Sequence, residues 1–117
     1  MINLDTIERV YLSSDFTDLR KSIDGLSTIV ETEFKLNVFE PALFIFCNKA
    51  RNKLKILHFD NGFWLYYRRL EEGKFKWPTG KGEVHTISFE EMKWLINGHE
   101  PRVRRRKFKP IKRLDFY

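Results

Sequence analysis

Four aspartates, Asp15, Asp18, Asp24 and Asp60, are the side chains whose type suits metal-assisted phosphoryl chemistry, because carboxylate oxygens hold magnesium and the ion activates water. Their positions have simpler uses. Asp15 and Asp18 stand where the first turn of a helix needs acceptors, Asp24 follows Arg20 by four residues and Asp60 opens a turn. The Gly80-Lys81 pair fails as a phosphate loop, since Phe75 replaces the early glycine and Gly82 the required Ser or Thr. His58, His85, His99 and Cys47 lack the close pairing of zinc ligands. Ser13 and Ser14 have no base arranged to activate them. Cys47 lies inside an apolar run, where a buried, inert thiol is expected. The residues therefore predict no catalytic centre, no metal site and no cofactor.

Charge is the stronger signal. The formal net charge is +6. Between 101 and 117, Arg102, Arg104, Arg105, Arg106, Lys107, Lys109, Lys112 and Arg113 face only Asp115, a net of +7, which leaves −1 for residues 1–100. Such segregation points to a polyanion, usually nucleic acid, whose phosphates a basic arm can neutralise. Arg20 and Lys21, near the start of a helix, are further candidates for contact with phosphate or with an acidic protein surface. Phe59, Trp64 and Tyr66, beside Lys55 and Arg68, form a possible base-stacking face, although an aromatic stripe on paired strands more often belongs to a core.

The elements that would position these groups can be read from periodicity. One domain over residues 1–100 followed by an arm over 101–117 is the expected organisation, since 117 residues suit a single core. Leu19, Ile23, Leu26, Val30 and Phe34 recur at helical spacing and predict a helix over 18–34, capped by Thr17 or Asp15, with Arg20 paired to Asp24. Gly25 inside it implies a close neighbour. Strands are expected at 9–14, 42–48, 53–60, 63–70, 73–78 and 84–87. Asn61-Gly62 predicts a two-residue hairpin turn with Asp60 opposite Phe63. That register puts Lys55, Leu57, Phe59, Trp64, Tyr66 and Arg68 on one face. Ser88 and Glu91 form a capping box for a second helix, with Phe89, Met92, Leu95 and Ile96 as its inward stripe and Gly98 at its end. The fold class is α+β: a small, mostly antiparallel sheet, a main helix on one face, a short C-terminal helix and a basic tail. The longest apolar run, 42–47, is too short for a bilayer and the first residues lack a leader pattern, so a cytoplasmic location without membrane contact is expected.

Two long segments carry a family resemblance: "VYLSSDFTDLRKSIDGLSTIV", and "KLKILHFDNGFWLYYRRLEEGKFKWP" further along. Thr17 to Leu26 and Asn61 to Pro78 are their most specific parts. From about Val10 to Gly98 the chain resembles the TnpB or Orf2-like accessory proteins of insertion-sequence-66 transposable elements. The resemblance implies a mobile element whose separate, larger transposase does the cutting and joining. It implies a non-catalytic role for this chain, in binding DNA at the transposon ends, binding the transposase, or both. It supplies no catalytic residues.

Overall fold

The computed structural model describes residues 4–78, 80 and 82–97. A short 3-10 turn, Leu4–Thr6, precedes β1 (Arg9–Ser13), α1 (Ile23–Thr32), β2 (Ala42–Cys47), β3 (Lys53–Phe59), β4 (Phe63–Arg69), β5 (Val84–Ile87) and α2 (Phe89–Ile96). The five strands form one sheet in the order β4-β3-β2-β1-β5. Among the described strands only β1 and β2 run parallel, joined by the α1 crossover, and the other pairings are antiparallel. The α+β class with its mostly antiparallel sheet is borne out.

Strand β2 lies at the centre and all six of its residues are buried, as expected of a strand covered on both faces. On one face Leu26 and Val30 of α1 pack over Phe44, Phe46 and Leu57, with Leu19 and Val38 closing the edge. On the other, Met92 and Leu95 of α2 join Phe75 and Trp77 over Val10, Leu12, Ile45 and Ile56. Helix α2 keeps the predicted capping box: the Ser88 hydroxyl accepts from the Glu91 amide, and the Glu91 carboxylate accepts from the Ser88 amide. Gly98 lies outside the described residues.

Three expectations need correction. The main helix starts at Ile23 rather than 18, because Asp18 is engaged locally: its carboxylate accepts from the Arg20 amide, and its carbonyl from the Lys21 amide. Side-chain bonds of this kind compete with helix formation and close a turn instead. The N-cap is therefore Ser22, whose hydroxyl makes no capping bond, and not Thr17 or Asp15. Leu19 and Phe34 still join the core, but from outside the helix.

The β3–β4 hairpin is shifted by one residue. Asn61 and Gly62 have the expected positive φ, 55° and 144°, yet the Asp60 amide donates to Gly62 O, so Asp60 joins the loop and Phe59 pairs with Phe63. This register lets Phe39 contact the rings of both Phe59 and Phe63, at 4.9 and 5.7 Å, and places Leu57 opposite Leu65. Apolar pairing outweighs the two-residue turn. Because the side-chain period is two, the slip also dissolves the proposed stacking face: Phe59 and Lys55 point to the α1 side, while Trp64, Tyr66 and Arg68 point to the other.

Residues 73–78 form no strand. They run as irregular chain whose Phe75 and Trp77 are nevertheless buried, anchored by the Phe75 amide on Arg51 O and the Trp77 indole on Ser13 O.

Candidate nucleic-acid interface

The parallel β1–β2 pairing determines where the segment after β1 goes. It leaves the sheet beside the end of β2, where the Thr17 amide donates to Cys47 O at 2.8 Å. The chain after β2 turns tightly there: Asn48 Oδ1 accepts from the amides of Asn52 and Lys53, and Arg51 takes a left-handed φ of 61°. That loop presents Lys49 and leads Lys53 and Lys55 into β3, while β4 contributes Leu65 and Tyr67 on the same sheet face.

Between these three pieces lies an open cleft of about 750 Å³. Leu19 and Leu65 give it an apolar component, Phe16 and Tyr67 add two aromatic rings, and Arg20, Lys49, Lys53 and Lys55 supply four cations. Among the described residues the lone acidic side chain lining it is Asp18, which is already used: Arg20 Nη2 lies 2.6 Å from its Oδ2, and Arg20 Nε also donates to it. These bonds hold the Asp18 carboxyl well below the usual carboxylate range. Lys55 Nζ donates to Lys21 O at 3.0 Å and stands 5.8 Å from the centre of the Tyr67 ring, within cation–π range. A cationic concavity with exposed rings can attract and hold an anion.

The structure brings some sequence candidates together and separates others. Arg20 lines the cleft, paired to Asp18 rather than to Asp24. Lys21 is exposed beside it, with its carbonyl bound by Lys55. Arg102, Arg104, Arg105, Arg106, Lys107, Lys109, Lys112 and Arg113 lie outside the described residues, as does His99. Asp15 accepts from the Gly82 amide and Asp60 sits in the hairpin loop. Among the described residues no three His, Cys, Asp or Glu side chains converge to hold a metal ion. Cys47 is fully buried, and burial pushes its thiol up to about 12. Ser14 donates to Gly80 O and Glu83 O, a structural task. No helix of the described residues is long and apolar enough to cross a membrane.

Sequence reasoning missed Lys49, Lys53, Phe16 and Tyr67. The signal for the lysines was present in "NKARNK" at 48–53, a cation-dense turn between two strands. Nothing in the sequence indicated that the segment around Phe16 would lie against this loop, because that depends on the parallel pairing.

Residues 8–106 match the model of a protein family described as IS66 Orf2 like protein. The chain belongs to the IS66 Orf2-like family. The match contains the whole cleft and bears out the resemblance carried by the two sequence segments. It also identifies the chain as an accessory protein associated with transposition. Two relatives from Sinorhizobium fredii (strain NBRC 101917 / NGR234) are similar over nearly their full length. The uncharacterized protein y4hO is 30% identical over 105 residues, covering 89% of this chain and 91% of its own. The uncharacterized protein y4jC is 30% identical over 107 residues, covering 90% and 89%. No solved structure gives a significant match.

Proposed function

We propose that this IS66 Orf2-like protein is a non-catalytic accessory factor that binds DNA during transposition, leaving strand cleavage and joining to a separate transposase. The observation that carries this reading is the convergence of Arg20, Lys49, Lys53 and Lys55 on one cleft whose only lining carboxylate among the described residues, Asp18, is already paired. The basic arm over 101–117 adds sequence-independent affinity for phosphate, with Arg102, Arg104, Arg105, Arg106, Lys107, Lys109, Lys112 and Arg113 as its contacts. Lys21 lies beside the cleft and extends the positive surface.

The test is equilibrium binding to a duplex carrying the element's terminal sequence, measured from 50 to 200 mM salt. Replacing Arg104, Arg105 and Arg106 by Gln in the full chain is expected to reduce the slope of log K against log salt by about 2.7, about 0.9 per phosphate contact. An unchanged slope removes the arm from the interface. Absence of binding to any DNA at 50 mM salt overturns the reading.

A second reading, an adaptor that holds the transposase, is favoured by β4, an edge strand among the described residues, where Trp64 is 47% exposed and stacks on Tyr66. Co-purification with the transposase after nuclease treatment, lost in Trp64→Ala, would support it.

A further inference from the structure

We infer that the cleft between the 16–20 turn, the 48–53 loop and β4 takes unpaired, single-stranded DNA, with Tyr67 and Phe16 stacking on bases while Lys49 and Lys53 contact phosphates. The inference rests on the DNA-binding reading and specifies the form of DNA that this site receives.

Four large apolar side chains stand exposed among the described residues: Phe16, Phe39, Trp64 and Tyr67. Phe39 is accounted for by its contacts with Phe59 and Phe63, and Trp64 by its stack on Tyr66. Phe16 and Tyr67, 43% and 54% exposed, belong to neither core cluster, and both line the same cationic cleft. Exposed rings among cations suit a ligand that offers both π faces and negative charge. A duplex offers its phosphates, but its bases are stacked within it and its grooves are read by protruding elements rather than by recesses. A single strand can turn its bases out, and aromatic stacking combined with a basic track is the general way proteins hold one without reading its sequence.

The dimensions agree. A volume of about 750 Å³ lies within the range of clefts that take small ligands, enough for a short stretch of one strand. The fixed parts of the cleft are organised in advance: Thr17 is bonded to Cys47, Lys55 to Lys21 O, and the Asn48 side chain to the amides of Asn52 and Lys53. Among the described residues neither Lys49 nor Lys53 has an ion-pair partner, which leaves both ammonium groups available to phosphate.

The experiment is fluorescence anisotropy of the full-length protein with labelled oligo-dT and with a mixed-sequence duplex of equal length, at 50 and 150 mM salt. The expected result is tighter binding of oligo-dT than of duplex. Tyr67→Leu and Phe16→Leu should each weaken oligo-dT at least about fivefold, a larger loss than for the duplex, whereas Tyr67→Phe should keep wild-type affinity because the ring remains. Lys49→Gln combined with Lys53→Gln should reduce the single-strand salt slope by about 1.4. The arm is common to wild type and variants, so these differences report the cleft alone. Equal affinity of wild type, Tyr67→Leu and Phe16→Leu for oligo-dT overturns the inference. If duplex binding survives in that case, the DNA-binding function stands without this site; if neither form of DNA binds, both readings fall.

Discussion

The indole N–H of Trp77 donates to the main-chain carbonyl of Ser13 across 64 positions of sequence, at 2.8 Å and out of contact with water. The bond fastens the irregular chain after β4 to the end of β1, and it explains why a tryptophan serves a segment that has no strand of its own. Trp77→Phe keeps most of the apolar contact but leaves the Ser13 carbonyl without its donor. Urea denaturation should show a loss of about 1–3 kcal/mol, the usual cost of stranding a buried polar group.

Gly25 offers a test in which propensity and packing disagree. Alanine within a helix normally gains about 0.5–1 kcal/mol over glycine. Here an added Cβ would stand 3.0 Å from Lys21 Cβ and 3.2 Å from its Cγ. Lys21 cannot easily retreat, since its amide is bonded to Asp18 O and its carbonyl to Lys55 Nζ. Gly25→Ala should therefore show no gain in thermal midpoint, and the gain should reappear when Lys21 is also changed to Gly.

Acid should weaken the fold through His58. Burial holds its imidazole below the ordinary histidine range, partly opposed by the charge of Asp60, and its Nδ1 lies 3.3 Å from the Tyr66 hydroxyl. The unfolded chain takes up this proton near pH 6.5, the folded one only at lower pH. The histidine contribution is thus intact above about pH 6.5 and is lost as pH falls from there toward the folded value, by at most about 1.4 kcal/mol per pH unit. Denaturation midpoints measured from pH 7.5 to 5 should decline over this window, and His58→Gln should flatten the decline.

Cys47 should resist thiol reagents. With its thiol fully buried and pushed up to about 12, almost no thiolate exists at neutral pH. Reaction with a chromogenic disulfide should be negligible in native buffer and complete in 6 M guanidinium; rapid labelling of native protein would contradict the packing described.

Much of the fold was legible because its signals are local. The alternation and apolar runs of β1 to β5 gave their positions within a residue, and Ser88 with Glu91 identified the start of α2. The failures have one character: a specific contact, close in sequence or distant, overruled the periodic preference. Asp18 turned to Arg20 and delayed α1; Phe39 drew Phe59 and Phe63 together and slid the hairpin; Trp77 found Ser13 without forming a strand. The cleft was half visible. Arg20 and Lys55 were noticed singly, but the approach of Arg20 to Lys49, Lys55 and Tyr67 depends on β1 lying parallel to β2, which no short window of sequence encodes.

The neighbours of β1 come from distant parts of the chain: β2 lies some thirty residues away, and β5, which pairs Leu12 with His85, lies more than seventy away. A nascent polypeptide emerging from the ribosome can fold its β3–β4 hairpin early, yet one border of β1 stays bare until residue 87 has been made. Such high contact order slows folding and prolongs exposure of an adhesive strand edge. Any product truncated before that point would leave Val10 and Leu12 on an unclosed border, a template for aggregation.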